Sequence, residues 1–111
     1  MVDTMTRDEI KHRLDTGEPV TLVEALPRKY YDDGHLPGAI NIPHDEVRAR
    51  AGSDLSDKNA TIVVYCASTE CRNSRIAVQM LSSMGYQRVF EYVEGKQDWM
   101  EAGYPIEKSD T

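Results

Sequence analysis

Two cysteines, five positions apart, are the residues of this chain whose type and spacing could do covalent chemistry. Cys66 ends an apolar run, and Cys71 follows in the same polar segment with Arg72 directly after it and Arg75 close by. A cysteine reacts as its thiolate, and nearby positive charge or a helix N-terminus lowers the pKa of a thiol. The spacing therefore predicts a nucleophilic sulfur at Cys66.

The elements on either side of Cys66 are predicted from their patterns. Thr61 to Tyr65 is β-branched and apolar, which is typical of a central parallel strand covered on both faces. Apolar residues then recur at helical spacing from Ile76 to Met84, before Gly85. Open parallel sheets bind ligands beyond the carboxyl ends of their strands. Small and polar residues between the strand and the helix let backbone amides turn inward and form an anion-binding nest.

The rest of the chain alternates in the same way. Thr6 and Glu9 have capping-box spacing at the start of a first helix. Further strands are predicted at residues 20–25, 39–42 and 89–93, and short helices lie between them. This order predicts an α/β fold, a three-layer α/β/α sandwich with a mostly parallel five-stranded sheet.

Length and composition narrow the class of protein. A chain of 111 residues fits a single domain over residues 1–111, and we expect residues 1–5 and 107–111 to be flexible ends. With 40% hydrophobic and 29% charged residues it has an ordinary globular balance, and a formal net charge of −6 argues against nucleic-acid binding. No apolar run approaches the ~18 residues of a membrane span, and the first residues show no secretory pattern. We therefore expect a cytoplasmic protein with no membrane and no nucleic-acid partner.

Three motifs in order resemble the single-domain rhodaneses, which are sulfurtransferases. They are YDDGHLPGAINIP at residues 31–43, VYC at residues 64–66, and YVEGKQDWMEAGYP at residues 92–105. The resemblance extends from Thr6 to Ile106. It implies that Cys66 takes a sulfane sulfur from a small anionic donor such as thiosulfate and holds it as a persulfide. The acceptor would be cyanide, a thiol or a protein, and the chemistry needs no metal and no organic cofactor.

The resemblance also implies roles for the loop residues after Cys66, the predicted catalytic residue. Their backbone amides would hold the donor, with Arg72 assisting electrostatically. The predicted substrate-binding residues are Ala67, Ser68, Thr69, Glu70, Cys71 and Arg72. Ser74 is expected to cap the following helix. His35 is expected to stabilise a turn, and Trp99 to fill the core. His12 and His44 do not cluster with the cysteines, so no metal site is predicted.

Three departures from the family pattern concern the site. Aligned from the helix backwards, the loop is two residues longer than is usual in the family. The glycine that is usual within the family's loop is missing. Glu70 places a negative charge in the loop, which would repel an anionic donor if it pointed inward but cost little if it pointed to solvent. The first strand ends in Glu24-Ala25-Leu26, where the family has a triplet that ends in arginine.

Cys71 keeps alternatives open. If the two Cβ atoms come within about 4 Å a disulfide can form, and Cys71 would then resolve a persulfide or protect Cys66 from overoxidation. Otherwise Cys71 is a small residue packed beside the helix. A non-catalytic binding or redox-sensing module that uses Cys66 and Cys71 is the main alternative function. The count from Cys66 to Arg72 also matches phosphatases and arsenate reductases of the same fold, although no residue is visibly placed as their general acid.

Overall fold

A computed structural model describes residues 2–108, and strands and helices alternate through them. The strands are β1 (Asp3–Thr4), β2 (Thr21–Glu24), β3 (Ile40–Asn41), β4 (Ile62–Tyr65) and β5 (Val89–Tyr92). The helices are α1 (Arg7–Thr16), α2 (Arg28–Asp33), α3 (Val47–Asp54), α4 (Asn73–Ser83) and α5 (Gly95–Glu101), and a short 3-10 turn (His44–Glu46) precedes α3. The predicted α/β class is confirmed.

The five strands form one sheet in the order β1-β5-β4-β2-β3, and every neighbouring pair is parallel. The predicted parallel five-stranded sheet is therefore confirmed, with β4 at its centre. The fifth strand is β1, which pairs with β5 although the sequence assigns residues 1–5 to a flexible end. At the other end, Glu107 forms an isolated bridge with His35. Met1 and residues 109–111 lie outside the described part of the chain.

Alternate residues of β4 belong to two separate cores, one on each face of the sheet. Ile62 and Val64 pack with the buried residues of α3 and α4. Val63 and Tyr65 pack on the opposite face with Ile10 of α1 and Trp99 of α5. All four residues of β4 are fully buried, which explains why this run is apolar at every position. This arrangement is the predicted three-layer sandwich.

Helix α1 starts where the sequence predicts. The Thr6 hydroxyl accepts from the backbone amide of Glu9, and the Glu9 carboxylate accepts from the amide of Thr6, which completes a capping box. Gly17, with φ 78°, ends the helix in the left-handed conformation. Within residues 2–108, no helix is both long enough and apolar enough to cross a membrane.

Candidate active site

Cys66 lies directly after β4, at the carboxyl end of the central strand. Its side chain is buried, with 1% of the residue exposed. The sulfur is bonded to the sulfur of Cys71 in a disulfide, and the two Cα atoms are 6.3 Å apart. Cys71 is partly exposed. The structure thus places the two cysteines together, and it shows the Cys66 sulfur as half of a disulfide where the sequence predicts a nucleophilic thiolate.

The loop between the cysteines is held by α5. The first amides of α5 donate to the loop carbonyls, Lys96 N to Cys66 O at 2.8 Å and Gln97 N to Ala67 O at 2.9 Å. Within the loop, the amide of Cys71 donates to Ser68 O at 3.1 Å, so one of the amides predicted to hold a donor is engaged in a turn. The loop therefore has a fixed path over the end of the sheet.

Gly95 allows this close approach of α5 to the loop. Its φ is 73°, a left-handed conformation, and a Cβ atom there would lie 2.6 Å from Cys66 O and 2.9 Å from both Ala67 C and Ser68 N. Backbone atoms cannot yield to such contacts as a flexible side chain can. A glycine at this position is therefore required by the path of the loop.

A buried chain of polar groups reaches Cys66 from the α4 side. The Ser74 oxygen lies 3.4 Å from the Cys66 sulfur, and the Ser74 hydroxyl donates to Glu91 Oε2 at 2.8 Å. Arg75 Nε donates to Glu91 Oε1, also at 2.8 Å. Glu91 is only 3% exposed, and a buried carboxylate needs a partner of opposite charge, which Arg75 provides. The site thus contains a Cys66–Ser74–Glu91–Arg75 chain.

One prediction is wrong at this point, and one residue of the site was not predicted. Ser74 is not the cap of α4, because the helix begins at Asn73 and the preceding Arg72 makes no side-chain cap hydrogen bond. The Ser74 hydroxyl faces inward to Glu91 instead. Glu91 is the residue that was not predicted, although a carboxylate inside the apolar run of β5 is a signal that a buried partner exists.

The remaining charged residues of the loop face outward. Glu70 and Arg72 are exposed, so the carboxylate of Glu70 lies on the solvent side of the loop, the arrangement that costs little. Arg72 forms no ion pair within residues 2–108, whereas Arg75 is tied to Glu91. The two arginines therefore have different surroundings, and Arg72 is the one whose charge is exposed at the loop.

A second buried carboxylate lies on the opposite face of the sheet. Glu24, at the end of β2, is fully buried and accepts from the Tyr65 hydroxyl at 2.8 Å and from Lys96 Nζ at 3.1 Å. Lys96 Nζ also donates to Gly34 O and to Tyr30 O. Burial raises the pKa of the Glu24 carboxyl, and Lys96 and the Tyr65 hydroxyl oppose that rise. Lys96, from α5, supplies the positive charge that pairs with this carboxylate.

Two hollows flank the exposed side of α5 beside the loop. The larger, of about 520 Å³, is lined by Ala67, Lys96, Gln97, Met100 and Glu101. The smaller, of about 250 Å³, is lined by Ser68, Thr69, Glu94, Gln97, Asp98 and Glu101. Carboxylates dominate the smaller hollow, so a ligand that approaches the loop from this side meets negative charge.

His35 and Trp99 have structural surroundings. His35 is 5% exposed, its ring stacks on Tyr31, and its Nδ1 lies 2.8 Å from Tyr31 O. Trp99 is fully buried and donates from Nε1 to Pro105 O at 2.8 Å. Both agree with the turn and core roles predicted for them. Residues 2–108 contain no group of three or more His, Cys, Asp or Glu side chains placed to hold a metal ion.

Comparisons with known proteins match this architecture. A family profile described as "Rhodanese-like domain" matches residues 6–102. The HTH-type transcriptional regulator Rv0324 of Mycobacterium tuberculosis is 37% identical over 106 residues, which are 96% of this chain and 45% of that protein. The thiosulfate sulfurtransferase PspE of Escherichia coli is 44% identical over 64 residues, which are 58% of this chain and 59% of that protein. The chain therefore spans about half the length of these relatives.

A solved structure shares the fold of this chain over most of its length. The crystal structure of the Alr3790 protein from Anabaena superposes with a TM-score of 0.85 at 34% identity, and covers 94% of this chain and 80% of that one. The profile match extends over most of the chain and includes Cys66, the loop and α5. The chain belongs to the rhodanese-like domain family, and its relatives include proteins named as sulfurtransferases.

Proposed function

We propose that this domain is a sulfurtransferase that carries a sulfane sulfur as a persulfide on Cys66. The observation that carries the proposal is the position of Cys66, at the carboxyl end of the central strand and before the loop that leads into α4. Ligands of parallel sheets bind at this edge, where the partial positive charge of a helix N-terminus favours anions. Membership of a family with relatives named as sulfurtransferases supports the same chemistry.

The reaction begins from the reduced pair of cysteines, in the reducing cytoplasm that we propose as the location. The Cys66 thiolate attacks the outer sulfur of thiosulfate, the sulfur–sulfur bond of thiosulfate breaks, and sulfite leaves with the electron pair. The amides of residues 67–70 and 72, with Arg72, would stabilise the incoming anion and the persulfide. A thiolate, cyanide or a protein thiol then takes the outer sulfur, and the Cys66 thiolate is regenerated.

Intact-protein mass spectrometry tests this proposal. Protein reduced with a dithiol, freed of the reductant and treated with thiosulfate is compared with the variants Cys66→Ser and Cys71→Ser. We expect Cys71→Ser to gain the mass of one sulfur atom and Cys66→Ser to gain nothing, because only Cys66 takes the sulfur. If Cys71→Ser gains no sulfur from thiosulfate or from a polysulfide, the proposal is wrong.

A second candidate function is a non-catalytic redox-sensing module, and the Cys66–Cys71 disulfide favours it. In that case mild peroxide would close the disulfide, a dithiol would reopen it, and no sulfur donor would leave an adduct. The same mass measurement separates the two functions, because closure of a disulfide removes two hydrogens and adds no sulfur.

A further inference from the structure

We infer that Cys71 resolves the Cys66 persulfide within the same loop, so that the domain releases the carried sulfur as hydrosulfide. This inference rests on the proposed sulfurtransferase function. It identifies the Cys71 thiolate as the group that supplies the electrons for release of the sulfur. The co-substrate that resets the protein would be a dithiol reductant, because each turnover leaves a disulfide between the two cysteines.

The position of Cys71 is the first support. Its sulfur is bonded to the Cys66 sulfur in the structure, so the loop can bring the two sulfurs into reacting contact without disturbing the sheet or α4. The turn from Ser68 O to the Cys71 amide and the two hydrogen bonds from α5 hold the loop in this path. A nucleophile held in this way reacts at an effective concentration far above that of a dissolved thiol.

Burial of the Cys66 sulfur favours a nucleophile in the same loop over one from solution. Cys66 is 1% exposed, whereas Cys71 is partly exposed on the solvent side of the loop. The exposed carboxylates of Glu70, Glu94 and Glu101 lie in the loop or line the hollows beside it. These carboxylates act on the anionic donor as well as on an anionic acceptor, so the preference for Cys71 rests on its position. A nucleophile from solution must reach a buried sulfur, whereas Cys71 is already in contact with it.

The chemical step balances without a further reactant. The Cys71 thiolate attacks the inner sulfur of the persulfide, which is Cys66 Sγ. A bond forms between the two cysteine sulfurs, and the bond between the inner and outer sulfurs breaks. The outer sulfur leaves with the electron pair and takes up the proton that the Cys71 thiol gives up when it ionises, so it departs as hydrosulfide. The two cysteines are oxidised to a disulfide by two electrons, and the sulfane sulfur is reduced to sulfide by the same two electrons.

A single-turnover experiment tests the inference. Reduced full-length protein, freed of reductant, is mixed with thiosulfate, and hydrosulfide is measured in the solution while the intact mass is recorded. For the wild type we expect one equivalent of hydrosulfide and a mass two hydrogens below that of the reduced protein. For Cys71→Ser, and for Cys71→Ala as a second variant, we expect the sulfur to stay on the protein and no hydrosulfide to appear.

The outcomes separate this inference from the proposal on which it rests. If the wild type keeps the added sulfur as stably as Cys71→Ser, or if Cys71→Ser releases hydrosulfide as fast as the wild type, the inference fails and the sulfurtransferase function stands. If neither cysteine-71 variant retains sulfur and the wild type releases no hydrosulfide, the sulfurtransferase function fails as well.

Discussion

The Cys66 sulfur has two neighbours of different chemistry. On one side is the Cys71 sulfur, and on the other is the hydroxyl of Ser74 at 3.4 Å. The single proton of that hydroxyl is donated to Glu91, whose other oxygen is held by Arg75. Because each group fixes the next, the position of the sulfur is set by a buried chain that begins with a half-exposed arginine.

Replacement of Ser74 tests this buried chain. We expect Ser74→Ala to lower the free energy of unfolding by about 1.5–3 kcal/mol, because the buried Glu91 carboxylate loses a hydrogen bond to a charged group. Urea denaturation of the reduced proteins measures this change in the free energy of unfolding. The matched control is Ser83→Ala, also on α4 but exposed, which should change stability by less than about 0.5 kcal/mol. Equal effects of the two substitutions would contradict the account.

At the scale of elements, α5 positions the loop through its first turn. Its amides bind the carbonyls of Cys66 and Ala67, and its Lys96 side chain reaches across to Glu24 on β2. The helix thus contacts both the main chain of the loop after Cys66 and the buried end of a neighbouring strand. A change at the start of α5 should therefore affect stability and sulfur loading together.

Gly95 gives a direct test of that contact. We expect Gly95→Ala to be less stable than Gly103→Ala by about 1–3 kcal/mol, and to load sulfur from thiosulfate more slowly. The φ angle is 73° at Gly95 and 77° at Gly103, so both backbones are left-handed, but a Cβ at Gly103 would meet nothing within 4 Å. Gly103→Ala therefore isolates the cost of a left-handed alanine from the clash with the loop. Matching denaturation midpoints and loading rates for the two variants would show that the close approach has no consequence.

The pair formed by Glu24 and Lys96 predicts a pH dependence. Because burial raises the pKa of Glu24 above its ordinary value of 4.5, the folded protein holds this proton more tightly than the unfolded chain does. The stability that Glu24 contributes is therefore present in full below pH 4.5, and it decreases as the pH rises through the folded-state pKa of Glu24. We expect the stability of the wild type, relative to Glu24→Gln, to fall over that pH range.

Urea midpoints of the wild type and Glu24→Gln, measured across pH values below and above 4.5, provide the comparison. The same series for Glu18→Gln, which removes an exposed carboxylate, shows how much of any trend comes from net charge alone. A difference between wild type and Glu24→Gln that stays constant or grows with pH would contradict the raised pKa.

At the scale of the whole molecule, the sheet order places a buried carboxylate on each side of the strand that carries Cys66. Glu24 on β2 pairs in register with Tyr65, and Glu91 on β5 pairs with Val64. One is balanced by Lys96 and the other by Arg75, on opposite faces of the sheet. The carboxyl edge of the sheet is therefore a region of paired charge around the Cys66 sulfur.

The N-terminal strand completes this sheet and yields a prediction about the fold. Met5 is 4% exposed and packs in the core on the α1 and α5 side, and its amide donates to Glu91 O at 3.1 Å. We expect Met5→Ala to lower the free energy of unfolding by about 2–5 kcal/mol, as truncation of a buried methionine does. Met100→Ala, at an exposed position, should cost less than about 0.5 kcal/mol in the same urea titration. A negligible effect at Met5 would mean that residues 2–5 are a flexible end after all.

Sequence pattern predicted most of the fold because buried parallel strands and amphipathic helices have strong signatures, as in β4 and α4. It did not locate β1, since Asp3 and Thr4 are polar and acquire their pairing only from β5. It placed Cys66 at the end of the central strand, but left the disulfide open, because spacing alone does not give the distance between two loop sulfurs. Glu91 was not predicted as a site residue, because its contact with Ser74 depends on how α4 docks on β5.

The most direct measurement of the central claim follows the sulfur itself. Reduced Cys71→Ser is treated with thiosulfate that carries an isotope in its outer sulfur, alkylated, digested and mapped by peptide mass spectrometry. We predict that the isotope is found on the peptide that contains Cys66, as an alkylated persulfide. An unlabelled, singly alkylated Cys66 in protein that has released sulfite would contradict the account.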